Sequence, residues 1–422
     1  MAESSNTSFK QKIRQIKSST ITKNFSYLSL LQLFNMLLPL ITYPYLIRVL
    51  GSDLYGLVVF AQSTIAFFQI FINFGFDVSA TKRISENVEN KNKLSQTLFS
   101  VLFLKAMLMI LGFIVLLVLI NTVEMFKGNE LLFIFSFFIC FNELLFPIWY
   151  FQGIEKMKYI TIINLISRII FVFIIFLLVR TPDDYVYVPL INAIGAFSGG
   201  VIALYVIFKW DKIPISLPSF KRMQYIFKES IPFFFSRSAN VFNAKTNTML
   251  IGTFLGYTEV AYYDLAYKLV SIMQTPFMLL SQAIYPNMAR TKNMNLIRQL
   301  IKYVLFAGVS VMLGTLVFAE LIVWIIGGQD MLEATLVLRI MSPYIPIVAM
   351  SYLFGASVLV VSGFSKDYNL SVIYSFVFYI CLLAIVYCVS DFNLITMAII
   401  FVLPELFIAS YRYYSIKKRK IF

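Results

Sequence analysis

Apolar runs separated by short polar connections fill the chain from residue 25 onward. A helix that crosses a bilayer takes about 20 such residues at ~1.5 Å each. Twelve runs meet that length, at 25–50, 54–80, 97–120, 130–152, 159–180, 185–208, 229–255, 260–288, 300–326, 340–362, 368–389 and 392–414. The pattern predicts an all-α polytopic membrane protein with twelve transmembrane helices. The longest polar connection, Lys209 to Lys228, holds Pro214 and Pro218 and divides the runs into six and six. The predicted domains are therefore a six-helix bundle over 1–208 with a polar tail at 1–24, a linker over 209–228, and a six-helix bundle over 229–422. Sliding the halves by 205 positions lays Asn35 on Asn240, Gly51 on Gly256 and Ala61 on Ala266, with Gln32 falling on Arg237. Even-numbered halves make this a parallel pseudo-repeat around a central cleft, with the first and seventh spans as equivalent walls. Pro39 and Pro44 predict a bend in the first span, because each removes a ladder hydrogen bond.

The seventh run is unlike the others. Ile231 to Gly256 spans about 38 Å as a helix, yet nine of the thirteen residues from Ser236 to Thr248 are polar. Ser236, Asn240, Asn243 and Asn247 recur at helical spacing within an arc of about 60°. A charged side chain facing lipid at mid-depth costs on the order of 3 kcal/mol, so this helix is expected to line a water-filled cavity and offer cations to an anionic cargo. Arg237 and the Asn face are expected to line the cleft. Lys245 projects from the opposite side and is expected to meet a partner or a neighbouring helix. A surface helix outside the bilayer is the plainer alternative.

Charge in the connections sets orientation. Counting Lys and Arg in alternate connections gives 24 on one side and three on the other, Lys127, Arg180 and Arg339. Basic loops stay in the cytoplasm, so both termini are expected there. The first 24 residues carry no apolar stretch, so no cleaved signal peptide is expected and the first span directs insertion. The net charge of +14 follows from the same loops and needs no nucleic-acid partner. Histidine is absent, which excludes imidazole catalysis and histidine metal ligation. Cys140, Cys381 and Cys388 lie inside apolar runs and read as small hydrophobes. No metal and no cofactor is expected, and nothing calls for an oligomer, so the chain is expected to be a monomer.

Ionisable groups within spans are candidates for function. Arg168 and Glu143, near the middle of the fifth and fourth runs, can meet as a neutral pair, either as a fixed bridge or in transport. Asp264 and Lys268 are four apart on one helical face and predict a local pair. Glu405 follows Pro404 near the centre of the last run. Asp77 and Arg48 lie nearer the two surfaces, and Lys302 and Arg412 are expected to snorkel to the interface. The candidate substrate contacts are Arg237, Asn240, Asn243, Asn247, Lys245, Lys268, Arg168 and Arg48. The candidate ion-coupling groups are Glu143, Asp77, Asp264 and Glu405. Phosphate or diphosphate suits such cations through bidentate contact.

The run Asn35 to Ser63, with Pro44-Tyr45-Leu46, Arg48-Val49-Leu50-Gly51 and Tyr55-Gly56, resembles the opening of Wzx-type O-antigen and capsule-repeat flippases. So does Phe71 to Ser85, with Gly75-Phe76 leading to Ser79-Ala80-Thr81. These form the polysaccharide transporter branch of the multidrug/oligosaccharidyl-lipid/polysaccharide exporter superfamily. The resemblance implies an inner-membrane flippase that moves undecaprenyl-diphosphate-linked oligosaccharide repeat units to the periplasmic leaflet by alternating access. It implies coupling to H+ or Na+, and polysaccharide assembly proteins as partners. Lipid II flippases carry extra C-terminal spans, and the end at Phe422 favours the O-unit branch. A multidrug exporter of the same superfamily is the alternative, though cationic cargo suits an acidic cleft. A membrane glycosyl polymerase or ligase is less favoured, because its catalysis needs a large outer loop and the outer connections here are short. The chain is not expected to be an enzyme.

Overall fold

The computed structural model describes residues 20–389 and 392–421, without the side chains of 20–26, 28, 29, 33, 35–37 and 240. Most of the tail expected at 1–24 lies outside them. All regular structure among the described residues is helical. Among the described residues nine helical stretches are long and apolar enough to cross a bilayer, by length and composition. The chain is a multi-pass membrane protein.

In chain order the helices are α1 (Thr20–Asn73), α2 (Phe76–Ser85), α3 (Lys91–Thr122), α4 (Glu130–Phe137), α5 (Phe141–Leu145), α6 (Ile148–Gly153), α7 (Met157–Leu178) and α8 (Tyr187–Tyr205). They continue with α9 (Phe220–Phe254), α10 (Tyr257–Thr291), α11 (Met294–Gly327), α12 (Ala334–Met341), α13 (Tyr344–Tyr352), α14 (Ser365–Val389) and α15 (Leu394–Lys418). Asparagines start α3, α11 and α15: Asn90, Asn293 and Asn393 each accept from the backbone N–H three residues on, satisfying a donor the helix cannot. Inside α1 the departure from helical geometry falls at Gly51, with φ 76° and ψ 171°. Only glycine adopts that conformation without strain. The break therefore sits at Gly51, between the first two predicted runs.

By contact the chain forms two compact units. One takes Thr64–Val241 with the chain up to Thr42; the other takes Tyr43–Ser63 with Phe242–Phe422. In the first unit, Phe74, Phe76, Trp149, Tyr150 and Phe151 pack with Ile213 and Ile226 in one buried cluster. In the second, Met288, Ile297 and Val304 pack with Leu353, Leu359 and Ile416. Polarity is arranged as a bilayer requires. On α3, Ile110, Ile114 and Val118 form an exposed stripe, while Ser95, Ser100 and Lys105 are buried. Lys105 lies 3.6 Å from the Glu143 carboxylate and donates to the Glu143 carbonyl at 2.8 Å. Asn73 donates to the same carboxylate at 2.8 Å. Glu143 is thus engaged by Lys105 and Asn73, not by Arg168, because the kink between α4 and α5 turns it toward α3. Arg168 has a contact of its own elsewhere.

Candidate functional site

α9 carries the polar run, and its two parts belong to different units. In the first unit α2 lies along its beginning. Phe74 stacks on Phe227 and Phe234 with ring centroids 4.4 and 4.6 Å apart. Ser79 and Ser230 share a hydrogen bond of 2.6 Å, and Arg83 Nε pairs with Glu229 at 2.6 Å. Arg237 Nη2 pairs with Asp77 Oδ2 at 2.7 Å. Gly75 makes this approach possible: a Cβ there meets Phe233 Cβ and Phe234 N at 2.7 Å, and its φ is 75°. Positions 227, 230, 234 and 237 share one helical face, about 130° round α9 from the Asn stripe. Arg237 therefore turns to α2 and away from the asparagines it was expected to accompany. Half its side chain stays exposed.

The second unit holds the other cluster. Lys268 Nζ lies 2.6 Å from Asp264 Oδ2, the predicted local pair. Tyr55 OH donates to the same carboxylate oxygen at 2.9 Å and accepts from Lys268 at 2.9 Å. The ammonium also sits 3.7 Å from the ring centroid of Tyr43, where the negative ring face attracts it. Asp264 is buried, Tyr55 hydrogen-bonds both members of the pair, and the Tyr43 ring lies against the ammonium.

Lys245 is half-buried on the part of α9 in this unit. It was expected to find a partner, but forms no ion pair or hydrogen bond with any described residue; its nearest charges are Asp264 and Lys268. Asp264 is already committed, so two ammonium groups share one carboxylate. Asn243 Oδ1 is buried without a hydrogen-bond partner. Asn247, by contrast, is 2 % exposed, donates to Tyr263 at 3.0 Å and accepts from Tyr379 at 2.7 Å. The predicted stripe is therefore not one wet surface. Ser236 is exposed, Asn247 is sealed, and the Asn240 side chain lies outside the described residues.

The remaining candidates separate from both clusters. Arg48 donates to the Ile325 carbonyl at 2.7 Å, capping the last turn of α11 where the helix dipole favours a cation. Arg412 does not snorkel. It is 5 % exposed and donates to Ser371 Oγ at 3.0 Å and to the Ser351 carbonyl at 2.8 Å, with its guanidinium 4.5 Å over Tyr368. Glu405 lies near Ser351 and Arg412 without an ion pair. Sequence reasoning missed Tyr43, Tyr55 and Tyr379. Only a partner more than a hundred residues away gives those side chains a role, and spacing carries no trace of it.

The Polysaccharide biosynthesis protein family model matches residues 21–292. The chain belongs to that family. A relative from Escherichia coli (strain K12), named "Putative O-antigen transporter", is 28% identical over 360 residues, 83% of this chain and 86% of its own. Among solved structures, the lipid II flippase MurJ in an inward closed conformation superposes with a TM-score of 0.76 at 15% identity, covering 92% of this chain and 87% of that one. An inward-facing multidrug resistance MATE family transporter gives 0.67 at 14%, covering 91% and 98%. At these identities the likeness speaks for the fold, an all-helical one shared with both kinds of exporter. The resemblance to Wzx-type polysaccharide flippases and the family agree.

Proposed function

We propose that the chain flips undecaprenyl-diphosphate-linked oligosaccharide repeat units, of O-antigen or capsule type, across the inner membrane by alternating access. It acts as a transporter and not as an enzyme. Twelve crossings in two bundles of six belong to this reading. The break at Gly51 divides α1 into two crossings, and α9 and α10, 35 residues each, supply two more that are too polar to pass as apolar spans. Both termini are placed in the cytoplasm by the bias of basic residues.

The observation that carries the proposal is Lys245. A half-buried ammonium without an ion pair of its own is unfavourable, and an anion completes it. Asn243 adds an unmet acceptor on the same helix, which a sugar hydroxyl satisfies by donating. A phosphate fits the first demand and a sugar hydroxyl the second, on two separate faces of α9. A drug cation does not meet the first, although the MATE likeness keeps a multidrug exporter as the alternative. Coupling to H+ or Na+ is part of the proposal, with Asp264, Glu405, Glu143 and Asp77 as its candidate carboxylates. Arg237, Asn240, Asn247, Lys268, Arg168 and Arg48 remain candidate contacts in other conformations.

Deleting the gene and analysing lipid-linked oligosaccharide tests the proposal. Repeat units accumulating on the inner leaflet, relieved by the wild-type gene but not by Lys245→Ala, are the expected result. Unchanged lipid intermediates with altered dye efflux would assign the chain to the multidrug exporters.

A further inference from the structure

The connection after α8 is built into the first unit. Asp211 accepts from Lys156 at 2.5 Å and from Tyr150 at 3.1 Å. Ile213 is buried beside them. Ser95 at the start of α3 then holds the extended stretch, bonding the Pro214 carbonyl and Ser216 Oγ, the latter at 2.8 Å. Pinned in this way, the segment turns Ile215 and Leu217 outward, 81 % and 93 % exposed, and Phe220 follows at 75 %.

Beside these apolar side chains lies a cavity of about 400 Å³, lined by Arg83, Gln96, Ser219, Lys221, Arg222 and Tyr225. Arg83 is fixed by Glu229 on one edge and lies 4.4 Å over the Tyr225 ring. Lys221 and Arg222 make no ion pair with any described residue. Three cations thus stand against one carboxylate, Glu229, which Arg83 already occupies. Burial, the larger cause, and then repulsion from Arg83 hold the Arg222 guanidinium below its usual range. An anion with several oxygens relieves that repulsion, and guanidinium groups suit it through paired N–H donors. The exposed apolar rim decides what carries the anion. Ile215, Leu217 and Phe220 in water are unfavourable by their buriable area, whereas an acyl or prenyl chain covers them.

We propose that this cavity binds the diphosphate of a polyprenyl lipid at the membrane surface, as a receiving site separate from Lys245. The inference rests on the transport reading and adds the place where the head group is first held. Its side of the membrane is the one where basic residues concentrate.

The test uses the full chain in nanodiscs of zwitterionic lipid, titrated with undecaprenyl diphosphate, undecaprenyl monophosphate or phosphatidylglycerol, with binding read by native mass spectrometry. The diphosphate is expected to bind at least tenfold more tightly than phosphatidylglycerol. Lys221→Ala with Arg222→Ala should weaken it about tenfold, while Lys221→Arg with Arg222→Lys, which keeps both charges, should retain most of the affinity. Equal affinity for phosphatidylglycerol overturns the assignment in favour of a bilayer-lipid site. Diphosphate binding untouched by the alanine pair overturns it as well. A chain that binds as expected but fails to relieve oligosaccharide accumulation in cells upholds the cavity and sinks the transport reading alone.

Discussion

The two parts of α9 carry the same kinds of residue and are treated in opposite ways. From Phe220 to Val241 the ionic and hydroxyl groups facing α2 find partners within 2.7 Å, in Arg237–Asp77, Glu229–Arg83 and Ser230–Ser79. From Phe242 to Phe254, Lys245 forms no ion pair with a described residue and Asn243 keeps a buried bare oxygen, while Asn247 is satisfied by Tyr263 and Tyr379. A helix face whose ionic groups are paired is explained by its own fold. One that leaves an ammonium and an amide oxygen open is waiting for something else. The contrast separates structural polarity from ligand-directed polarity along a single element.

The largest expected effect sharpens that contrast from outside α9. Asp264→Asn leaves the Lys268 ammonium without its carboxylate and beside the Lys245 charge, and losing one partner of a buried pair costs about 3–5 kcal/mol. Thermal unfolding in detergent should show a large drop, and adding Lys268→Met should recover most of it. A drop smaller than about 1 kcal/mol would mean that water already screens the cluster.

Next comes Lys245→Ala, expected to reduce translocation about 100-fold, the loss of roughly 2.7 kcal/mol of charge-assisted contact with the cargo. Its thermal stability should hold or rise, because a charge without a partner is removed. Lys245→Arg should keep part of the activity. A fall in stability parallel to the fall in transport would move Lys245 to the structural side of the comparison.

How much of this was legible in the chain follows from the range over which each signal acts. Hydrophobic runs marked the nine stretches that, among the described residues, are long and apolar enough to cross, since a bilayer-spanning segment is a local composition. Asp264–Lys268 was legible for the same reason, being a spacing of four on one helix. The pairing Glu143–Lys105 was not, because depth in the membrane suggested Arg168 while a kink after α4 sent the carboxylate toward α3. Arg412 misled in a similar way: position near a helix end predicts snorkelling, but Ser351 and Ser371 give it acceptors inside. The Asn stripe was correctly read as a face and wrongly read as uniformly wet, because Tyr263 and Tyr379 arrive from elsewhere to close one end.

That end gives the third prediction. Asn247→Leu should cost about 1–3 kcal/mol by leaving two buried tyrosine hydroxyls short of a partner. Asn243→Leu removes an oxygen that nothing meets and should be neutral or stabilising, while lowering transport. Cysteines at the same two sites sharpen the point, since a water-soluble thiol reagent should leave position 247 unmodified. Ready labelling at 247 would restore the uniform stripe.

The smallest effect is at Arg237. Its side chain is 50 % exposed, so the bridge to Asp77, 2.7 Å long, is screened and is worth at most about 1 kcal/mol. A double-mutant cycle with Arg237→Ala and Asp77→Ala should give a coupling of that size in thermal unfolding. Translocation by Arg237→Ala should fall several-fold, well short of the Lys245 loss, because the guanidinium is already paired with Asp77. Arg237→Lys should behave like the alanine variant in stability, since a lysine reaches the carboxylate only as a point charge. If Arg237→Ala instead matches Lys245→Ala in lost transport with the coupling intact, the arginine leaves Asp77 during the cycle, and the division of α9 holds for one conformation only.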